Sequence, residues 1–353
     1  MERIAQKEKQ MKIYVDIFKR LGDFELDVSF ETENEVFGIL GKSGCGKSLT
    51  LRCIAGIETP DRGVIAIDGR VLFDSSRGID IRPQKRRTGY LFQDNSLFPN
   101  MTVAQNIAVS PTGKKHCDEY IERFFLRGLE NLYPHELSAG QKQRAALARL
   151  LASEPDMLML DEPFSSLDKE LRDKLEDRIA ETIDDFEGSV IFVSHDIGEV
   201  YRLTDRIAVM HDGRIAECAD KDKLFASPET TVAARLTGCS NISSVSFGDC
   251  GAAADDWGIV LGNVPDESCR YVGCRPRDLE LCGENDTGAV ECEVIRVTED
   301  MLSYRVVLRP KKCGGKSSSS TLIYETDKLS WPYGRGDRVF IRPDKNKLFY
   351  MVR

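Results

Sequence analysis

The densest chemistry in the chain lies in Gly41-Lys42-Ser43-Gly44-Cys45-Gly46-Lys47-Ser48. This run fits the pattern G-x-x-x-x-G-K-[ST], in which glycines let the backbone wrap an anion so that successive N–H groups and a helix N-terminus face its charge. The context agrees: an apolar run from Val36 to Leu40 precedes the loop, and a helical pattern through Leu49, Leu51 and Ile54 follows it. On this reading Gly41, Lys42, Ser43, Gly44, Cys45, Gly46 and Leu49 surround a polyphosphate, Lys47 reaches its β- and γ-phosphates, and Ser48 ligates Mg²⁺. The Cys45 thiol, close to Lys47 and a helix N-terminus, is expected to have a lowered pKa and to be alkylated faster than most other cysteines of the chain.

A second constellation ends the apolar run Met157-Leu158-Met159-Leu160 with two adjacent carboxylates, Asp161 and Glu162. Side chains alternate along a strand, so the two carboxylates can take different tasks. Asp161 suits the Mg²⁺ shell, directly or through water, and Glu162 could take a proton from an attacking water. A strand ending in solvated acids is the plain alternative, and the phosphate-type loop elsewhere in the chain weighs against it.

With these in place, Leu137-Ser138-Ala139-Gly140-Gln141 resembles the signature peptide of ABC-transporter ATPases, with Ala139 where glycine is most frequent. The similarity extends in order. Gln93 in Leu91-Phe92-Gln93 resembles the Q-loop, Ser165-Ser166-Leu167-Asp168 the D-loop, and His195 in Val193-Ser194-His195-Asp196 the switch histidine. The resemblance implies ATP and Mg²⁺ clamped in a head-to-tail pair of cassettes, the phosphate loop of one copy facing Ser138, Gly140 and a helix beginning near Gln141 of the other. It further implies that Gln93 senses Mg²⁺ or the attacking water, that His195 contacts the γ-phosphate, and that Asp168 links the two sites. Related cassettes stack an aromatic ring on adenine before the first strands. Here the matching position is Leu21, with Tyr14, Phe18 and Phe24 nearby, and the sequence leaves open which of these meet adenine and which fill the core.

The elements that must carry these residues follow from the hydropathy pattern. From Met11 to about Leu236 short apolar strands alternate with amphipathic helical stretches, which predicts an α/β architecture with a mostly parallel sheet. The runs Val36 to Leu40, Met157 to Leu160 and Val190 to Val193 read as buried strands, whose C-terminal ends are where ligands gather. After Thr237 short β-rich runs take over, among them Arg305 to Leu308, Leu322 to Tyr324 and Val339 to Ile341. The division expected is therefore an ATPase cassette over 1–236 and a small all-β, OB-like domain over 237–353. Cys313 to Ser320 reads as a Gly/Ser-rich surface loop.

Composition limits the remaining classes. The 353 residues carry 49 Lys and Arg against 58 Asp and Glu, a formal net charge of −9, which disfavours broad nucleic-acid binding. No apolar run approaches the ~20 residues that cross a bilayer, and no secretory leader is visible. Eleven cysteines without a CxxC pair suit a reduced, cytoplasmic setting better than a disulfide scaffold. The stretch from Gly69 to Ile107 is similar to oxyanion import ATPases, most of all the molybdate type, with sulfate, ferric-iron and polyamine relatives sharing much of it. Val272 to Leu279 resembles the start of the OB-like TOBE domain of such importers. What this implies is a peripheral subunit on the cytoplasmic face of the membrane. Its partners are a second copy, integral permease subunits that dock near Leu97, Phe98 and Pro99, and indirectly an extracytoplasmic solute-binding protein. A soluble ABC ATPase acting on ribosomes or DNA, and an oxyanion sensor without turnover, are the rival readings. The absence of a second cassette or long coiled-coil insertion weighs against the first, and the retained Glu162 and His195 weigh against the second.

Overall fold

A computed structural model of the chain describes residues 12–33, 35–92, 97–164, 169–186, 188–248, 251–262, 264, 266–311 and 320–353. Contacts divide the chain into two compact units, Met1–Lys221 and Asp222–Arg353.

The first unit opens with the hairpin β1 (Lys12–Leu21) and β2 (Phe24–Glu33), followed by β3 (Val36–Gly41), α1 (Lys47–Ala55), β4 (Arg62–Ile67), β5 (Arg70–Asp74), β6 (Ile79–Asp80), α2 (Pro83–Arg86) and β7 (Thr88–Leu91). A helical segment holds α3 (Val103–Ile107), α4 (Pro111–Lys115), α5 (Cys117–Arg123) and α6 (Ala139–Leu151). The unit closes with β8 (Met157–Asp161), α7 (Lys169–Asp184), β9 (Ser189–Ser194), α8 (Ile197–Leu203), β10 (Arg206–His211) and β11 (Arg214–Asp220). The eleven strands run in the order β6-β5-β4-β1-β2-β11-β10-β3-β9-β8-β7.

The expectation of a mostly parallel sheet needs correcting, because only part of this sheet is parallel. Strands β10, β3, β9, β8 and β7 pair in parallel. Strands β6, β5, β4, β1 and β2 form an antiparallel wing. Tight turns set antiparallel pairings. Asp68-Gly69 joins β4 to β5 within the wing with both φ values positive, at 53° and 74°, and Asp212-Gly213 joins β10 to β11 beside it at 44° and 77°. Two-residue loops of this kind return the chain antiparallel to itself. The parallel strands behave as their continuous apolar runs require: β8 and β9 are buried along their whole length, and parallel pairing puts Asp161 opposite Val193. No helix among the described residues is long and apolar enough to cross a membrane.

The second unit contains α9 (Lys221–Ala226), which starts at the boundary, and α10 (Thr231–Leu236). Its strands are β12 (Asn241–Gly248), β13 (Gly251–Ala254), β14 (Ile259–Gly262), β15 (Tyr271–Cys274), β16 (Leu279–Leu281), β17 (Val290–Glu299), β18 (Ser303–Pro310), β19 (Leu322–Asp327), β20 (Arg338–Pro343) and β21 (Phe349–Met351). They form two five-stranded antiparallel sheets, β14-β13-β12-β15-β21 and β16-β20-β17-β18-β19, around a core that includes Trp257, Val272, Cys292, Val306 and Ile341. The buried Asn241 amide ties one sheet to the other, donating to Ile323 O at 2.8 Å and accepting from Ile323 N at 2.7 Å.

Composition changes after Thr237, yet the contacts place α10 with the strands. Thr231 N donates to Arg353 O, the Arg275 guanidinium donates to the carbonyls of Phe225 and Thr237, and Ala234 packs with Cys239, Phe349 and Met351. The nine cysteines among the described residues are all free.

Candidate active site

The phosphate-type loop joins the end of β3 to α1. Gly44 and Gly46 lie in the left-handed region at φ 83° and 111°. A side chain on Gly46 is excluded twice, since its Cβ would also stand 2.8 Å from Leu26 Cδ1. The first turn of α1 has no side-chain cap and no acidic residue, so its N–H groups stay available to an anion. Lys47 is 5 % exposed and folds over the loop, its Nζ donating to Gly41 O at 2.7 Å and Lys42 O at 3.1 Å. The far end of α1 is held by a residue that sequence reasoning missed. Buried Arg86 donates from Nη1 to Cys53 O at 3.0 Å and Ile54 O at 2.7 Å, from Nε to Ile81 O at 2.7 Å, and from Nη2 to Asp80 Oδ1 at 3.0 Å.

The expectation for Cys45 is overturned. Its side chain packs in the hydrophobic core at 5 % exposure, and burial pushes the thiol's pKa up, outweighing the opposing charge of Lys47. A buried protonated thiol alkylates slowly.

Asp161 ends β8 at 2 % exposure. Its Oδ2 accepts from the Tyr90 hydroxyl at 3.0 Å, whereas Oδ1 has no hydrogen-bond partner among the described residues. Burial pushes its pKa up, and the hydroxyls of Ser48 and Tyr90 pull it back towards the charged form. A buried carboxylate oxygen without a hydrogen partner, beside a serine hydroxyl, fits a hard cation with oxygen ligands. Among the described residues no group of three His, Cys, Asp or Glu could hold a metal by itself. The donor set therefore suits Mg²⁺, which keeps water and substrate phosphate in its shell.

Glu162 follows in a left-handed conformation at φ 50°, a state that costs a non-glycine residue about 1–3 kcal/mol unless its surroundings fix it. Three contacts do so. Glu162 N donates to Val193 O at 2.9 Å, Gln143 Nε2 donates to Glu162 O at 3.3 Å, and His195 Nδ1 lies 3.1 Å from Glu162 Oε1. Glu162 and His195 meet because β8 and β9 are parallel neighbours ending at the same edge.

Ser43, Gly44, Gly46, Lys47, Ser48, Leu49, Arg52 and Glu162 line a cleft of about 400 Å³ whose wall is completed by Leu21 and Phe24. Of the residues considered for adenine, Leu21 and Phe24 thus face the site. Tyr14 and Phe18 do not line it, and the Phe18 ring carries the Arg62 guanidinium at 4.3 Å. Arg52, Gln143 and Tyr90 were not singled out from sequence.

Ser138 caps α6. Its Oγ accepts from Gln141 N at 3.3 Å, and Gln141 Oε1 accepts from Ser138 N at 2.8 Å. This capping box starts the helix at Ala139, two residues before the expected start at Gln141. Ser138 is exposed, Gly140 and Gln141 are half-buried, and none of the three lines the cleft around Lys47. Gln93, Asp168 and the rest of Ser165-Ser166-Leu167 lie outside the described residues. After Gln93, Phe98 and Met101 are exposed on a loop pinned by buried Asn106, which accepts from Phe98 N at 2.8 Å and donates to Phe98 O, Met101 O and Thr102 O.

Residues 25–165 match the family model described as ABC transporter. A molybdenum import ATP-binding protein of Rhodospirillum rubrum is 35% identical over 221 residues, covering 61% of this chain and 60% of the relative, so the match spans less than two thirds of that protein. A spermidine/putrescine import ATP-binding protein of Chromobacterium violaceum is 38% identical over 238 residues, 64% of each. A dimeric ATP-binding cassette solved after hydrolysis with ADP and Pi bound superposes with a TM-score of 0.52 at 26% identity, covering 60% of this chain and 98% of that one. A sulfate/thiosulfate import ATP-binding protein of Nitrosomonas europaea is 32% identical over 361 residues, covering 95% of this chain and 96% of the relative. Similarity along almost the whole of both chains, added to the loop, the paired carboxylates and the histidine gathered at one sheet edge, shows that the chain belongs to the ABC transporter family.

Proposed function

We propose that the chain binds ATP with Mg²⁺ and hydrolyses it to ADP and phosphate as the motor subunit of an importer. The observation that carries this reading is the convergence of Lys47, Ser48, Asp161 and the Glu162–His195 pair at the end of the parallel strands. In it, the loop amides and Lys47 hold the phosphates, Lys47 exchanging the carbonyls of Gly41 and Lys42 for phosphate oxygens. Ser48 and Asp161 would hold Mg²⁺, which when bound would supply positive charge against the phosphates. Glu162 Oε1 is engaged by His195, which leaves Oε2 to take the proton of the attacking water. With Nδ1–H donated to Glu162, His195 contacts the γ-phosphate as a donor through Nε2 only when the ring is protonated. Gln93 and Asp168 keep the roles the family resemblance gives them.

The same reading assigns the exposed N-terminus of α6, with Ser138, Gly140 and Gln141, to the nucleotide of a second copy. It assigns exposed Phe98 and Met101 to a permease subunit at the cytoplasmic face of the membrane, supplied by an extracytoplasmic solute-binding protein. The cargo is an inorganic oxyanion, molybdate first, supported by the Gly69 to Ile107 stretch and the molybdenum relative. Sulfate is the second reading, favoured by the relative that matches the second unit as well as the first. The second unit regulates or pairs the motors.

The test of the chemistry is Glu162→Gln. It should keep ATP affinity and lose turnover by about 10² or more, and near-normal hydrolysis would remove Glu162 as the base. Uptake of labelled molybdate by vesicles carrying the permease, with sulfate as competitor, decides the cargo.

A further inference from the structure

We propose that Tyr90 is a positioning residue for the metal: its hydroxyl clamps Oδ2 of Asp161, so that Oδ1 is held as the ligand oxygen. The inference rests on the functional reading above and extends it to a residue outside the family motifs. Tyr90 lies on β7, the parallel neighbour of β8, and its phenol reaches across to the end of that strand. The hydroxyl has one hydrogen to give. The Arg52 guanidinium also meets this hydroxyl, but arginine can only donate, so the phenolic hydrogen goes to Asp161 and the oxygen lone pair faces Arg52.

The carboxylate is thereby fixed about a torsion that is otherwise soft. One oxygen is hydrogen-bonded and the other is buried without a partner. The ring itself is fixed by Phe92, with centroids 4.4 Å apart at 48°. The same arrangement, an outer residue holding a ligating side chain, usually contributes 10–100-fold to metal affinity.

Mn²⁺ titrated into the full-length protein with a non-hydrolysable ATP analogue, free Mn²⁺ being read by electron paramagnetic resonance, tests the proposal. Tyr90→Phe should weaken Mn²⁺ binding about tenfold or more, while analogue binding in EDTA stays within about twofold of wild type, since Tyr90 does not line the cleft around Lys47. Wild-type Mn²⁺ affinity in a folded Tyr90→Phe protein overturns the proposal, as does an equal loss of analogue binding in EDTA, which would assign the effect to packing of the site. If the wild-type protein shows no analogue-dependent Mn²⁺ binding, the functional reading falls and takes this one with it.

Discussion

At Cys45 two effects oppose each other, and their balance depends on depth. Lys47 and the start of α1 favour a thiolate, but enclosure in the core favours the thiol, and burial is the larger influence. Iodoacetamide should therefore label Cys45 severalfold more slowly than the half-buried Cys117 and Cys282, with rates followed peptide by peptide by mass spectrometry. Labelling of Cys45 ahead of both would show that the loop opens or that the charge dominates. Sequence could name Cys45 because it lies inside a motif, but could not show which way its side chain turns. The same asymmetry runs through the site. That Lys47, Ser48, Asp161, Glu162 and His195 gather at the ends of neighbouring strands was legible because each lies at fixed spacing next to a strand end. Tyr90, Arg52, Gln143 and Arg86 were not, because each acts on a neighbour remote in sequence, and nothing local separates them from the other tyrosines, glutamines and arginines of the chain. Tyr90 and Asp161 are joined only by the pairing of β7 with β8.

Among the elements, α1 has the most to support, because its N-terminus must stay open to an anion and so cannot be stabilised by a cap there. Its other end compensates. Arg86 satisfies Cys53 O and Ile54 O, and Gly56 is kept side-chain-free because its Cβ would lie 2.5 Å from Arg86 Nε. Arg86→Leu leaves Ile54 O and Ile81 O without their donor, while Cys53 O keeps the Gly56 N–H, so the protein should lose about 2 kcal/mol or more in urea unfolding, at 1–3 kcal/mol for each buried group left unpaired. A loss below about 1 kcal/mol would mean that water replaces the guanidinium. Element types were legible where periodicity was unambiguous: the apolar runs at β3, β8 and β9 read directly as buried strands. Apolar runs alone do not reveal the antiparallel pairings, which are written instead in the hairpin signals Asp68-Gly69 and Asp212-Gly213. The start of α6 is likewise written in Ser138-x-x-Gln141, the pattern of a capping box.

At the scale of the whole molecule the question is whether one chain holds a complete site. Lys47, Asp161, Glu162 and His195 gather in one copy, but Ser138, Gly140 and Gln141 stand on an exposed helix N-terminus that does not line the same cleft. If that N-terminus serves a second copy's nucleotide, damage to the two motifs must complement in trans. Ser138→Arg places a bulky cation at the helix end while leaving its own phosphate loop intact, and Lys47→Ala weakens its own nucleotide site while leaving its α6 intact. Each variant alone should form dimers without a competent site. Mixed, they should form heterodimers in which the loop of the Ser138 variant faces the α6 of the Lys47 variant, so one composite site survives. ATPase activity at equal total protein should then exceed the sum of the two variants measured alone. Random pairing makes half of the dimers mixed, each with one good site of two, so recovery of about a quarter of wild-type turnover is the ceiling if one site suffices and all turnover needs motif residues from both copies. Activity equal to the sum, with heterodimers shown by native mass spectrometry, leaves either independent sites or a need for both sites at once. A nucleotide-dependent crosslink between Ser43→Cys of one copy and Ser138→Cys of the other separates these. Its appearance would keep the trans arrangement and require two intact sites, and its absence would return catalysis to the single chain.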